Sequence, residues 1–156
     1  MKSIQWKPLL ISLFIPFAVG GLSGFLTKDH ISAFQNINKP PFSPPAFLFP
    51  IVWTILFALM GISAYLIYTS KSSGKQKALI LYGVQLIINF FWPLIFFNLQ
   101  NYLFAFIWIL LLWALILTMI ISFYKINHTA AFLQIPYFLW VTFAAYLNCS
   151  IWILNR

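Results

Sequence analysis

The chain has 156 residues, 63% of them hydrophobic, 21% aromatic and only 6% charged. A soluble domain carries about 25% charged residues, so this chain cannot cover a water-facing surface and reads as a membrane protein. A single acid, Asp29, excludes paired-carboxylate catalysis and carboxylate-rich metal sites, and a single cysteine, Cys149, excludes internal disulfides and zinc–cysteine clusters.

A membrane-spanning helix takes about 20 residues, and five apolar segments of that size follow one another. They lie at about 8–27, 46–69, 78–97, 102–124 and 130–153. All five are expected to be helical, because lipid forces backbone polar groups to pair within their own segment. The alternation that a membrane β-barrel needs is absent. The expected fold is an all-α membrane protein, a five-helix transmembrane bundle forming one domain over 1–156. Pro16, Pro93 and Pro136 fall inside apolar segments and mark places for kinks. The first segment has a rival reading: Lys2 and Lys7, an apolar run and Ala18-Val19-Gly20 also resemble a signal peptide, although the run is long for one.

The connectors are short except for residues 28–45, KDHISAFQNINKPPFSPP. Pro40, Pro41, Pro44 and Pro45 stiffen its end. Its apolar Ile31, Phe34, Ile37 and Phe42 favour a folded lid, against the alternative of a rigid spacer. With five spans, Lys2, Lys7, Lys71, Lys75, Lys77 and Lys125 fall on one side, and Lys28, Lys39 and Arg156 on the other. That excess predicts a cytoplasmic N-terminus and an outside lid. No long basic run suggests a nucleic-acid partner.

Polar groups inside lipid need partners. Gln85, Asn89 and Trp92 share one helix face, and so do Tyr137, Trp140, Ala144 and Asn148. Trp53, Phe57, Gly61 and Ala64 form a third stripe. Three such faces suit an enclosed, mostly apolar pocket for a flat hydrophobic ligand. They equally suit interhelical hydrogen bonds from Asn89 and Asn148, with the aromatics as packing. Trp6 and Trp152 lie at segment ends, where belt tryptophans belong, whereas Trp53, Trp92, Trp108, Trp113 and Trp140 lie deeper. Gly20 and Gly24 form a GxxxG that allows close helix contact, within the subunit or across a dimer. His30 and His128 fall on opposite sides, so they share no metal site. His30 reads as a solvated loop histidine, with axial ligation of a haem iron as the sharper alternative. Cys149 reads as a small apolar packing residue.

The stretch NKPPFSPPAFLFPIVWTILFALMGISAYLIY resembles the first-loop-to-second-helix signature of the TspO/translocator protein family, also called tryptophan-rich sensory proteins or peripheral benzodiazepine receptors. Gln85-Leu86, Asn89 and Trp92 match its third helix. Pro136-Tyr137, Trp140, Phe143-Ala144, Leu147-Asn148 and Trp152 match its fifth. The resemblance is colinear, covers nearly the whole chain and is nearest to bacterial members, placing the protein in a bacterial cell membrane. It implies a homodimer with a pocket beneath the first loop. The ligands it implies are porphyrins such as protoporphyrin IX, haem, benzodiazepine-site drugs and, in animal members, cholesterol, with no cofactor required. It also implies Trp53 and Trp140 as residues of a light-dependent porphyrin degradation, and Trp53, Phe57, Asn89, Trp92, Tyr137, Trp140, Ala144 and Asn148 as ligand-binding. Two departures stand out. Ala33-Phe34 replaces the family's Trp-Tyr before Lys-Pro, and the sterol motif fails because the next basic residue after Tyr146 is Arg156. Three functions follow as expectations: a photo-oxidative porphyrin-degrading protein, a binding or sensing protein without turnover, and a transporter. The last is disfavoured by the absence of an inverted repeat and of an intramembrane acid.

Overall fold

Five stretches are long and apolar enough to cross a membrane, and all are helical: Trp6–Thr27, Leu48–Tyr68, Lys75–Asn98, Tyr102–Tyr124 and His128–Leu154. The computed structural model describes residues 3–156, so Lys2, which contributes to the charge bias, lies outside the described residues. The helices are α1 (Trp6–Thr27), α2 (Ile31–Phe34), α3 (Leu48–Tyr68), α4 (Lys75–Pro93), α5 (Tyr102–Tyr124), α6 (His128–Leu133) and α7 (Ile135–Leu154). No strand occurs among the described residues.

The prolines act where their missing N–H is least harmful or most disruptive. Pro93 ends the regular part of the third span, and Leu94–Asn98 continue as a π turn closed by Leu99 N–H on the Leu94 carbonyl at 3.1 Å. The fifth span breaks in the turn just before Pro136: α6 stops at Leu133, and Pro136 sits in the first turn of α7, where no amide donor is needed. The break leaves carbonyls to satisfy, and Ser63 Oγ reaches across from α3 to the Ala130 carbonyl at 2.7 Å. Asn127 caps α6 by accepting from Ala130 N–H at 3.0 Å, and Asn101 caps α5 by accepting from Phe104 N–H at 3.1 Å.

α1 lies along α3 and α4, α5 runs between α4 and α7, and α6 wedges between α3 and α5. The close approach of α1 and α3 depends on Gly61. A Cβ there would stand 2.8 Å from the Leu13 Cα and the Ser12 carbonyl oxygen. Of the GxxxG pair, Gly20 faces inward, where a Cβ would collide with the Phe57 ring, whereas Gly24 has nothing within 4 Å. The motif therefore serves packing within the subunit at Gly20 only. Met60, Ile67, Ile116, Met119 and Phe123 are fully buried at the bundle centre. Lipid is as apolar as these side chains, so dispersion and close fit hold them together more than exclusion of water does.

Residues 28–45 carry one helical turn, α2, and are tied to the far end of the chain. Asn38 N–H donates to Asn155 Oδ1 at 3.0 Å, and Asn155 Nδ2 donates back to the Asn38 carbonyl at 2.8 Å. Phe34 packs against Phe96 and Phe97 with ring centroids 5.8 and 5.6 Å away. The loop is a fastened cover over the π turn and the end of α7.

Candidate functional site

Two buried hydrogen-bonded clusters occupy the interior where the polar stripes converge. Tyr137, on α7, is 1% exposed, and its hydroxyl donates to Gln85 Oε1 at 2.7 Å while accepting from Asn89 Nδ2 at 2.8 Å. Gln85 and Asn89 are four residues apart on α4, so both point at the same hydroxyl. Toward the loop end, Asn148 Oδ1 accepts from the Trp92 indole N–H at 3.0 Å, and Asn148 Nδ2 donates to the Tyr102 carbonyl at 2.8 Å. Asn148 thereby ties α7 to both α4 and α5. The interhelical alternative raised by the spacing of Asn89 and Asn148 is the arrangement found for these two amides.

The aromatic residues form a wall beside those clusters. Trp53 stands edge-on to Tyr137 at 6.1 Å and packs against Phe57 at 5.4 Å. Phe57 continues to Phe17 at 6.0 Å. Trp140 meets Phe49 at 5.7 Å and Phe143 at 5.7 Å. Next to Trp140 opens a cleft of about 360 Å³ between Val52, Ile55 and Leu56 of α3 and Pro136, Leu139, Trp140 and Phe143 of α7. Its volume falls within the roughly 300–1,000 Å³ of small-molecule sites. The lining is aliphatic and aromatic, with the Trp140 indole carrying its one polar group, so the cleft offers shape and π surface rather than charge. Ala144 is half-buried one turn beyond Trp140 and packs against the main core.

The five deep tryptophans separate into two kinds. Trp92, Trp108 and Trp113 donate their indole N–H groups to Asn148, the Ile88 carbonyl and Thr142 Oγ1 at 3.0, 2.8 and 2.8 Å. Trp53 and Trp140 make no side-chain hydrogen bond among the described residues, although both are partly buried. A desolvated indole normally finds a partner, so these two are the ones left free to meet something else.

The structure thus joins Trp53, Phe57 and Tyr137 in one aromatic chain and places Trp140 on the cleft. It draws Asn89, Trp92 and Asn148 into internal pairs. Ile55, Leu139 and Phe143 were not singled out as site residues in the sequence, because an apolar residue in a membrane helix carries no signal of what it lines. Gln85 stood in the polar stripe, and its role as acceptor for Tyr137 needed the tertiary contact. His30 is exposed at the rim of a shallow cup whose floor is filled by Phe34, Phe96 and Phe97. His128 stacks on Tyr124 at 4.1 Å at the opposite end. No group of three or more His, Cys, Asp or Glu side chains placed to hold a metal occurs among the described residues.

With this geometry in place, comparisons with known proteins are informative. The model of the TspO/MBR family matches residues 12–153. A tryptophan-rich protein TspO of Chlorobaculum tepidum is 36% identical over 156 residues, covering 99% of this chain and 98% of the relative. A tryptophan-rich sensory protein of Cereibacter sphaeroides is 32% identical over 122 residues, covering 78% of this chain and 76% of the relative. The human translocator protein is 29% identical over 133 residues, covering 83% and 79% respectively.

Proposed function

Because the chain belongs to the TspO/MBR family, we propose that it binds a flat hydrophobic ring system, of the protoporphyrin IX or haem type, against the Trp53–Trp140 wall inside the membrane. The observation that carries this reading is the division among the deep tryptophans. Three have their N–H groups occupied by the fold, whereas Trp53 and Trp140 are unpaired, Trp53 in the aromatic chain with Phe57 and Tyr137 and Trp140 on the wall of an apolar cleft. An extended π ligand gains dispersion and stacking against such a wall and needs few hydrogen bonds to be held. Drug-like aromatic molecules meet the same surface.

The wall also supports a chemical role. Among the described residues the interior offers no carboxylate, and the Tyr137 hydroxyl beside the wall is already committed to Gln85 Oε1, so carboxylate acid–base chemistry is not what the wall supplies. Electron donation is: indole is the most easily oxidised aromatic side chain. A porphyrin excited by light, with dioxygen as oxidant, would be degraded beside Trp53 and Trp140. Illuminating the purified protein with protoporphyrin IX in air and following the porphyrin absorbance tests this. Loss that is faster than in ligand alone and falls at least tenfold in Trp53→Phe and Trp140→Phe supports it, and equal loss in all three proteins rejects the tryptophan role.

A second reading is retention of the same ligand without turnover, as a sensor or sequestering protein. It is favoured by the internal hydrogen bonds that fix the wall's surroundings and by the similarity to the tryptophan-rich sensory protein of Cereibacter sphaeroides. Its signature is tight one-to-one binding with no new product under illumination. For orientation, we place the N-terminus in the cytoplasm of a bacterial cell, with the Asn38–Asn155 end outside, following the excess of lysines at the opposite end.

A further inference from the structure

We propose that the ligand reaches Trp140 sideways, from the hydrocarbon core of the bilayer through the cleft between α3 and α7, and not end-on past the first loop. The inference rests on the binding reading above and names the route to that site.

The cleft exists because α3 packs along α1, α4 and α6, while α7 packs along α5, and the two meet through the rings of Trp53–Tyr137 and Phe49–Trp140 rather than by close backbone packing. Its mouth is flanked by Ile55 and Leu139, which are 55% and 61% exposed. Both sit within spanning segments, so their exposed surfaces meet acyl chains rather than water. Behind them stand Leu56 and the Trp140 ring. The apolar macrocycle of a porphyrin would exchange lipid for apolar side chains along this path, with its two propionates trailing toward the headgroups where they stay hydrated. A solute whose charge must itself enter the cleft would be turned away, because lipid-facing apolar walls cannot replace its hydration.

The end-on route is fastened. Passage there would break the paired Asn38–Asn155 bonds, withdraw Phe34 from Phe96 and Phe97, and displace Phe49 from the edge of Trp140. One path is already open between two spanning segments, and the other is held shut by several independent contacts.

Stopped-flow binding of protoporphyrin IX to the full chain in lipid nanodiscs distinguishes the routes. In Ile55→Phe/Leu139→Phe the mouth is narrowed from both helices at lipid-exposed positions that the core does not need. Association and release should both slow by at least tenfold, whatever change in the dissociation constant the added rings bring. In Asn155→Ala, which loosens the loop, both rates should stay within twofold. The proposal is overturned if the mouth variant loads at the wild-type rate, if it loses affinity through faster release, or if the loop variant loads tenfold faster. Should the wild type bind no protoporphyrin IX, the binding reading fails. The portal is then decided by a measurement without ligand: quenching of tryptophan emission by phosphatidylcholine brominated at mid-chain. An open cleft predicts a share of that quenching that disappears in Trp140→Phe and shrinks in the mouth variant, and absence of any such share overturns it.

Discussion

Trp92 and Trp140 lie on different spans of the same bundle, and both are partly buried, yet their surroundings are opposite. Around Trp92 the indole N–H is held by Asn148, whose own amide is anchored to the Tyr102 carbonyl, and the ring stacks on Phe96 at 5.1 Å. Around Trp140 there are only rings and aliphatic groups, with open space on one side. The first region is finished, in that every group it presents is used by the fold. The second has π surface and a donor to spare. In a chain so rich in aromatics, tryptophan content alone says nothing about function, and the hydrogen-bond state of each indole separates those used by the fold from those left free.

This contrast can be broken by substitution, and the largest effect should fall on the finished side. Asn148→Ala strands the Trp92 donor and cuts the tie from α7 to the Tyr102 carbonyl, so stability should fall by about 2–3 kcal/mol, measured as unfolding in mixed micelles. A cost below about 0.5 kcal/mol would mean that the cluster is not the scaffold described. Tyr137→Phe should be milder, about 1–2 kcal/mol, because Asn89 and Gln85 lie one turn apart on α4 and can pair with each other once the hydroxyl is gone. On the open side, Trp140→Phe keeps an aromatic ring and breaks no hydrogen bond. Its unfolding should move by less than about 1 kcal/mol while porphyrin binding weakens at least tenfold. The reverse pattern, loss of stability with binding intact, would erase the distinction between the two regions. Smallest of all, Asn155→Ala should lower stability by about 0.5–1 kcal/mol, since the paired bonds it removes are solvent-exposed. Faster proteolysis within residues 28–45 would register the same loosening.

Packing offers a control for these polar substitutions. Gly61→Val would drive a side chain into the backbone of α1 and should destabilise by about 1–3 kcal/mol through helix separation alone, with no hydrogen bond lost. Gly24→Val, eleven residues from the α1 segment that Gly61 touches and with open space about it, should leave monomer stability unchanged within about 0.5 kcal/mol. Gly20 and Gly24 read alike as a motif, and only the position of Phe57 tells them apart.

The sequence by itself determined the membrane setting, the five helical spans and the exclusion of carboxylate chemistry. These depend on composition and on local hydrogen bonding, which lipid enforces one segment at a time. It also marked Gln85, Asn89, Trp92, Tyr137 and Asn148 as positions that must find partners, because an unpaired polar group in hydrocarbon is costly wherever the helix lands. The tertiary structure decided which partner each one took, and so which tryptophans were consumed by the fold and which were left free. It also decided that the fifth span breaks ahead of Pro136, that the first loop is fastened to Asn155, and that α3 and α7 stand apart. Those outcomes depend on how whole helices pack, and one apolar membrane helix looks much like another until its neighbours are in place.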